Sequence, residues 1–307
     1  MKKILITGSS GFIGSNLYDH LHENYILYGL DLGKSGKYSE SNLFHWDQMD
    51  ELPSVDVIIH LAGKAHDTAN TTKPEEYFDV NLGLTKKIFD HFISSEANVF
   101  IFFSSVKAVA DEVNGILTEN DVPDPKTPYG KSKLAAENYI TSKVISNAKK
   151  VYILRPCMIH GPGNKGNLNL LYNWIKRGIP WPLGAFENMR SYASMDNVVF
   201  IVKELLSGNI PSGIYQIADD QPVSTTEIIK LMTLVMNKKT RIWNISTSII
   251  RTIATLNDWL NLPLNSERLK KLSETYVVSN FKIKKALNID SFPTDSREGL
   301  TKTLKSF

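Results

Sequence analysis

Residues 1–17 read MKKILITGSSGFIGSNL, an apolar run that breaks at once into a turn carrying Gly8, Gly11 and Gly14 at every third position. A secretion signal needs an apolar stretch of about 7–15 residues before a small-residue cleavage site. Here Ile4, Leu5 and Ile6 are followed directly by Thr7, Gly8, Ser9 and Ser10. The stretch therefore reads as a buried β-strand that ends in a tight turn and opens a helix over Ser15–Leu21.

Working outward, short and nearly continuous apolar runs recur at KKILIT (2–7), YILYGLDL (25–32), VDVIIHLAG (55–63), VFIFFSS (99–105) and VYILRP (151–156). Such runs mark strands buried on both faces. Between them lie EEYFDVNLGLTKKIFDHFIS (75–94) and YGKSKLAAENYITSKVIS (129–146), which have helical period. The β-α-β-α order predicts an α/β fold with a doubly wound parallel sheet of Rossmann type.

After Pro156 the texture changes. HGPGNKGNLNLL (160–171) and RGIPWPLG (177–184) are rich in Gly, Pro and Asn, and the alternation is lost. A smaller C-terminal substrate-binding lobe is expected over 157–190 and 220–307, beside a dinucleotide-binding domain of residues 1–156 to which 191–219 returns. GIYQIAD (213–219) is a further strand candidate, and Ser224 with Glu227 has the spacing of a capping box. ISTSIIRTIATLNDWLNL (245–262) is apolar enough to suggest a membrane-surface helix, but Arg251, Asn257 and Asp258 interrupt it, and an ordinary half-buried helix is expected.

Composition narrows the function. The 307 residues hold 35 basic against 32 acidic side chains, a net +3 with no dense Lys/Arg block, so neither a nucleic-acid nor a membrane partner is expected. Cys157 is the only cysteine, which excludes an internal disulfide and a cysteine-based metal cluster. The histidines are scattered, no metal site is expected, and His60 and His66 read as packing or polar residues. Together with the absence of an apolar run of about 18 residues, these features predict a cytoplasmic protein.

The glycine turn followed by a helix is suited to a pyrophosphate, because the helix points unpaired N–H groups and its positive dipole end at the turn. Asp31 closes the second strand, 20 residues beyond Gly11. A carboxylate there accepts hydrogen bonds from an adenosine ribose and repels a 2′-phosphate, which favours NAD over NADP, while Lys34 nearby softens that preference.

PYGKSK (128–133) places Tyr129 and Lys133 four residues apart, on one face of a helix. A free tyrosine has a pKa of about 10, and bringing it near neutrality takes about 4 kcal/mol. A neighbouring ammonium and an oxidised nicotinamide ring, both positive, favour the phenolate. Ser104 and Ser105 end the 99–105 strand at the carboxyl edge of the sheet, where α/β proteins bind ligands.

In combination, TGSSGFIG (7–14), Asp31, HLAG (60–63), Asn81 in NLGLT, FSSV (103–106), YGKSK and LRPCMIHGPG (154–163) resemble the extended short-chain dehydrogenase/reductase family, nearest its nucleotide-sugar epimerase and dehydratase branch. The resemblance implies Tyr129 as base, Lys133 on the nicotinamide ribose, and Ser105 on the reacting hydroxyl. It further implies a cofactor site of Gly8, Gly11, Phe12, Ile13, Gly14, Asp31, Asp47, Gln48, Leu61, Ala62, Gly63 and Pro156, with Tyr129 and Lys133. The substrate, a UDP-sugar, is implied to meet Asn167, Leu183 and Arg190 as well as Ser105 and Tyr129. An arginine suits a diphosphate because its planar fork meets phosphate oxygens in pairs.

Departures from the family pattern matter too. Dehydratases of the branch carry an Asp-Glu pair where this chain has Val106 and Lys107, so dehydration is not expected. Cys157 stands where several epimerases have a substrate-contacting asparagine, and Val109 and Ala110 replace a common tyrosine-glycine, so the sugar does not carry over. Three readings remain: a 4-epimerase of a UDP-hexose or UDP-N-acetylhexosamine with NAD; an NAD(P)H-dependent reductase of a UDP-4-keto-6-deoxy-N-acetylhexosamine; and a non-catalytic dinucleotide-binding sensor. The family commonly forms homodimers, for which Phe78, Leu82, Ile88, Phe89 and Phe92 are candidate contacts, although they could equally face the subunit's own sheet.

Overall fold

The computed structural model describes residues 1–33, 37–64, 73–164, 166–260 and 266–307, so Lys34 and His66 lie outside the described residues. Its strands are β1 (Lys3–Thr7), β2 (Ile26–Asp31), β3 (Leu43–His45), β4 (Val57–His60), β5 (Val99–Phe103), β6 (Ile116–Leu117), β7 (Lys150–Pro156), β8 (Met158–His160), β9 (Tyr192–Ser194), β10 (Gly213–Ile217) and β11 (Val277–Val278). Seven of them form one parallel sheet in the order β10-β7-β5-β4-β1-β2-β3.

Residue alternation in β1 divides the core in two. Ile4 and Ile6 face a cluster with Val57, Ile59 and Ile101, covered by Leu17 and Leu21 of helix Phe12–Leu21 and by Val198, Val202 and Leu205 of helix Met195–Leu206. Leu5 faces the other way, with Ile58, Phe100 and Phe102, under Ile88, Phe89 and Phe92 of helix Leu84–Ser94 and Ala136 and Ile140 of helix Pro128–Thr141. Both faces are dry, which is why the strands are apolar at nearly every position. Burial of each such side chain contributes about 1.5–3 kcal/mol. Ile88, Phe89 and Phe92 are fully covered by their own sheet, so they offer nothing to a second subunit.

From β1 the chain runs outward through β2 to β3, then crosses back to β4 on the other side. The crossing leaves a switch point between the carboxyl ends of β1 and β4, the place where open α/β sheets bind ligands.

The segment 75–94 is not one regular helix. Helix Pro74–Phe78 passes through a single π turn, Asp79–Gly83, before helix Leu84–Ser94. β3 is a strand the sequence pattern does not announce, being three residues long between two 3₁₀ turns. A third apolar cluster gathers around Leu168, Trp181, Leu183, Tyr192, Ile228, Met232, Ile250 and Leu304.

Candidate active site

The glycine turn sits at the switch point. Gly8 has φ +67°, and a Cβ there would lie 2.7 Å from the Ala62 nitrogen, so the turn after β1 and the chain leaving β4 touch backbone to backbone. A Cβ on Gly14 would lie 2.5 Å from the Gly8 carbonyl oxygen. Helix Phe12–Leu21 begins at Gly11 with no side-chain cap and no acidic residue in its first turn. Its first N–H groups therefore have no side-chain cap, an arrangement that suits an anion. Asp31 accepts 2.7 Å hydrogen bonds from the Ser10 amide and hydroxyl and from the Leu32 amide, which fixes its carboxylate beside the turn.

A hydrogen-bonded chain spans the floor of the crevice. Burial pushes His60 down to about 3, so the ring is neutral at physiological pH, with Lys133 acting in the same direction. Thr85 Oγ1 donates to the Asn81 carbonyl at 2.6 Å and therefore accepts from His60 Nε2 at 2.9 Å. That assigns the proton to Nε2 and makes Nδ1 the acceptor for Thr7 Oγ1 at 2.6 Å. Thr7 Oγ1 in turn accepts from the Ala62 amide at 3.1 Å. His60 thus joins the ends of β1 and β4 to the π turn, a structural role that fits its reading as a packing residue.

Asn81, inside the π turn, is buried and fully engaged. Its Oδ1 accepts from the Lys64 amide at 2.7 Å, and its Nδ2 donates to Ser132 Oγ at 2.9 Å and to the Lys64 carbonyl at 3.2 Å. It pins the chain beyond Leu61, Ala62 and Gly63 to the helix that carries Tyr129 and Lys133.

That helix is set by its cap. Thr127 Oγ1 accepts from the Gly130 amide at 3.2 Å, Pro128 occupies the first turn, and Asp111 accepts from the Lys126 and Thr127 amides and the Thr127 hydroxyl. A Cβ on Gly130 would lie 2.3 Å from the Lys107 carbonyl oxygen, so only glycine lets the helix approach the turn at Val106–Ala108 this closely. The approach brings Tyr129 to Ser105. Ser105 Oγ accepts from the Lys107 amide at 3.2 Å, and its side chain hydrogen-bonds that of Tyr129. The Tyr129 ring meets Tyr77 edge-on at 6.2 Å.

Lys133 Nζ donates to the Phe103 carbonyl at 2.9 Å and lies where a Cβ on Gly63 would be 3.2 Å away. Burial lowers it to about 8, opposed by the Glu137 carboxylate one turn further along the helix. The lowering expected from the sequence rests on an ammonium and a bound nicotinamide ring together; in the chain alone burial raises the Tyr129 pKa, and the Ser105 hydrogen bond only partly offsets it. Desolvation of a charge outweighs one neutral hydrogen bond.

The other sequence-derived residues are spread wider. Gln48 and Asp47 sit in the turn Trp46–Glu51 beyond β3, where Gln48 Oε1 accepts from the His45 amide at 2.9 Å and Asp47 pairs with the His45 ring at 2.6 Å. Pro156 ends β7 opposite Ile217. Asn167 opens helix Asn167–Lys176. The Leu183 side chain is buried in the third apolar cluster, which leaves its backbone as the part able to face a ligand. Arg190 reaches Glu274 at 3.3 Å, and its backbone pairs with Val223. Lys107 takes the dehydratase position but is no acid–base group for it: its ammonium donates to the Asp111 carbonyl at 2.7 Å and lies 4.2 Å over the Tyr276 ring.

Residues 4–218 match the model of the NAD dependent epimerase/dehydratase family. The chain belongs to this family. A UDP-glucose 4-epimerase of Vibrio cholerae is 29% identical over 263 residues, 81% of this chain and 79% of that protein. An Escherichia coli O157:H7 protein, N-acetyl-alpha-D-glucosaminyl-diphospho-ditrans,octacis-undecaprenol 4-epimerase, is 28% identical over 245 residues, 77% and 73% of the two chains. The GDP-6-deoxy-D-mannose reductase of Pseudomonas aeruginosa is 25% identical over 244 residues, 75% and 79%. Among solved structures, the Thermotoga maritima UDP-glucose 4-epimerase with UDP-glucose matches with TM-score 0.76 at 21% identity, and the Bacillus cereus UDP-glucuronic acid 4-epimerase with NAD with 0.75 at 19%, each over 99% of this chain and 98% of the other. These two establish the fold.

As a member of the epimerase/dehydratase family the protein is an enzyme and its cofactor is NAD, which removes the sensor reading. The residues present fit that cofactor: an uncapped helix start for the pyrophosphate, Asp31 beside it, and a buried ammonium at Lys133. The sequence pattern does not single out Glu137, although Tyr129, Lys133 and Glu137 are spaced by four and so share one helix face.

Proposed function

We propose that this enzyme is a 4-epimerase of a UDP-hexose or UDP-N-acetylhexosamine that works through a 4-keto sugar. The observation that carries the reading is the set Ser105–Tyr129–Lys133, gathered at the carboxyl edge of β5 beside Gly63. Ser105 holds the 4-hydroxyl of the sugar, and Tyr129 takes its proton and later returns it. Lys133, anchored on Phe103, keeps a positive charge near the phenol and beside the ribose of the cofactor. Bound NAD supplies the acceptor and donor for the hydrogen on C4.

The relatives from Vibrio cholerae and Escherichia coli share a diphosphate between sugar and carrier in the substrates their names give. Arg190, at the edge of the second lobe, suits that diphosphate. The absence of a carboxylate pair after Ser105, with Val106 buried and Lys107 held on Tyr276, speaks against a dehydratase.

The reductase relative supports a second reading in which the same residues protonate a 4-keto sugar reduced by NAD(P)H. One experiment separates the two. Purified protein is given UDP-glucose and UDP-N-acetylglucosamine without added reductant, and products are followed by NMR. Formation of the axial 4-hydroxyl sugar supports epimerisation. No product, together with NAD(P)H oxidation on a UDP-4-keto-6-deoxy-N-acetylhexosamine, establishes the reductase.

A further inference from the structure

No helix among the described residues is long and apolar enough to cross a membrane. One leaves an apolar stripe exposed. Helix Thr247–Leu260 buries Ile250 and Ala254, 3% and 0% exposed, in the third apolar cluster. Ile249, Ile253 and Leu256 are 54%, 42% and 59% exposed. Spaced by four and three, they form one stripe along the helix. Trp243, 56% exposed, precedes the helix in a segment tied to that cluster by backbone bonds to Trp181.

We infer that the stretch from Arg241 to Leu256 is a peripheral docking face for an anionic lipid bilayer. Charge decides the occupant. From Ile228 to Asn257 the chain has Lys230, Lys238, Lys239, Arg241 and Arg251 and no Asp or Glu, and Asp258 is the single acidic residue of the helix itself, so the stretch that carries the apolar stripe is strongly basic. All five are exposed. A two-fold contact with a second copy would set these like charges against one another. An anionic leaflet attracts them, takes the aliphatic stripe into its acyl boundary, and seats the tryptophan at the headgroup level. The net +3 of the whole chain hides this local excess, which is why the charge count predicts no membrane partner. The inference stands on this face alone and does not depend on which sugar is bound.

The test is flotation of the purified protein with vesicles of phosphatidylcholine alone and of phosphatidylcholine with about a third phosphatidylglycerol. Wild type is expected to float with the anionic vesicles, less so at high salt, and not with the neutral ones. The variant Ile249→Ser/Ile253→Ser/Leu256→Ser is expected to lose about tenfold or more in vesicle affinity while keeping its melting transition and NAD binding. Lys239→Glu/Arg241→Glu/Arg251→Glu should lose binding as well, and it alone decides if the serine variant fails to fold. No flotation of wild type, or equal flotation of wild type and both variants, overturns the proposal. So does light scattering in which the serine variant turns a dimer into a monomer, since a second copy then covers the face.

Discussion

Arg155 on β7 holds Glu137 through three N–H···O contacts of 2.5, 3.0 and 3.1 Å, and the Ser104 hydroxyl donates to the same carboxylate. The pair is 3% and 1% exposed. Glu137 lies one helical turn behind Lys133 and Ser104 is the neighbour of Ser105, so Arg155 locks β7 to the helix that carries Tyr129 and Lys133, and Ser104 ties the end of β5 to the same carboxylate. Such a pair tolerates removal of one member badly, because the other is left charged and buried. Arg155→Met should cost about 3–5 kcal/mol of stability, read as a drop in the urea midpoint. A midpoint within about 1 kcal/mol of wild type would show that the pair is not locking the two elements.

Tyr129→Phe removes the oxygen that Ser105 reaches and leaves the edge-on contact with Tyr77 in place. Folding and NAD binding should be unchanged, the latter read by quenching of intrinsic fluorescence. Turnover should fall by about 10²–10⁴-fold or more. Residual activity within about tenfold of wild type would remove Tyr129 from the chemistry.

Burial holds the Lys133 ammonium at about 8 against an ordinary 10.5. The unfolded chain keeps this proton up to about 10.5. Between the two values the unfolded state binds more protons, so the contribution of Lys133 to stability rises as the pH climbs from about 8 to about 10.5. Activity moves the opposite way. A neutral Lys133 no longer supports a phenolate, so turnover should decline as the pH passes through about 8. A pH–rate profile at constant ionic strength reads this directly, and Lys133→Met should lose both most of the rate and the alkaline decline. A profile still rising well above pH 8 would contradict the role given to the ammonium.

What the sequence shows and what it hides follow from the range of the forces involved. β1, β2, β4, β5, β7 and β10 were legible because each is an apolar run bounded by polar residues. β3 was not, because three residues between polar turns carry no period, and its pairing with β2 is a tertiary fact. The π turn at Asp79–Gly83 hides inside a segment of good helical period, and only the demands on Asn81 reveal it. Tyr129 and Lys133 were legible through their spacing, whereas the sign of the phenol's pKa depends on burial that no local pattern encodes. Arg155 lies 18 positions from Glu137 on another element, so their pairing appears only in three dimensions.

Gly14 in the turn after β1 and Gly33 in the bend after β2 differ sharply in what surrounds them. A methyl on Gly14 would meet the Gly8 carbonyl oxygen at 2.5 Å and the Ser9 Cα and carbonyl oxygen at 2.8 Å, all backbone atoms with nowhere to go. Relief requires the helix to move off the turn, which separates its first N–H groups from the site of the pyrophosphate. Gly14→Ala should therefore cost about 1–3 kcal/mol in stability and weaken NAD binding by about tenfold or more. A methyl on Gly33, just past Asp31, would meet nothing within 4 Å, so that position serves as the control. Gly33→Ala should match wild type in both measurements. Titration of both variants with NAD by calorimetry checks the pair, and equal affinities would mean that the turn does not hold the cofactor.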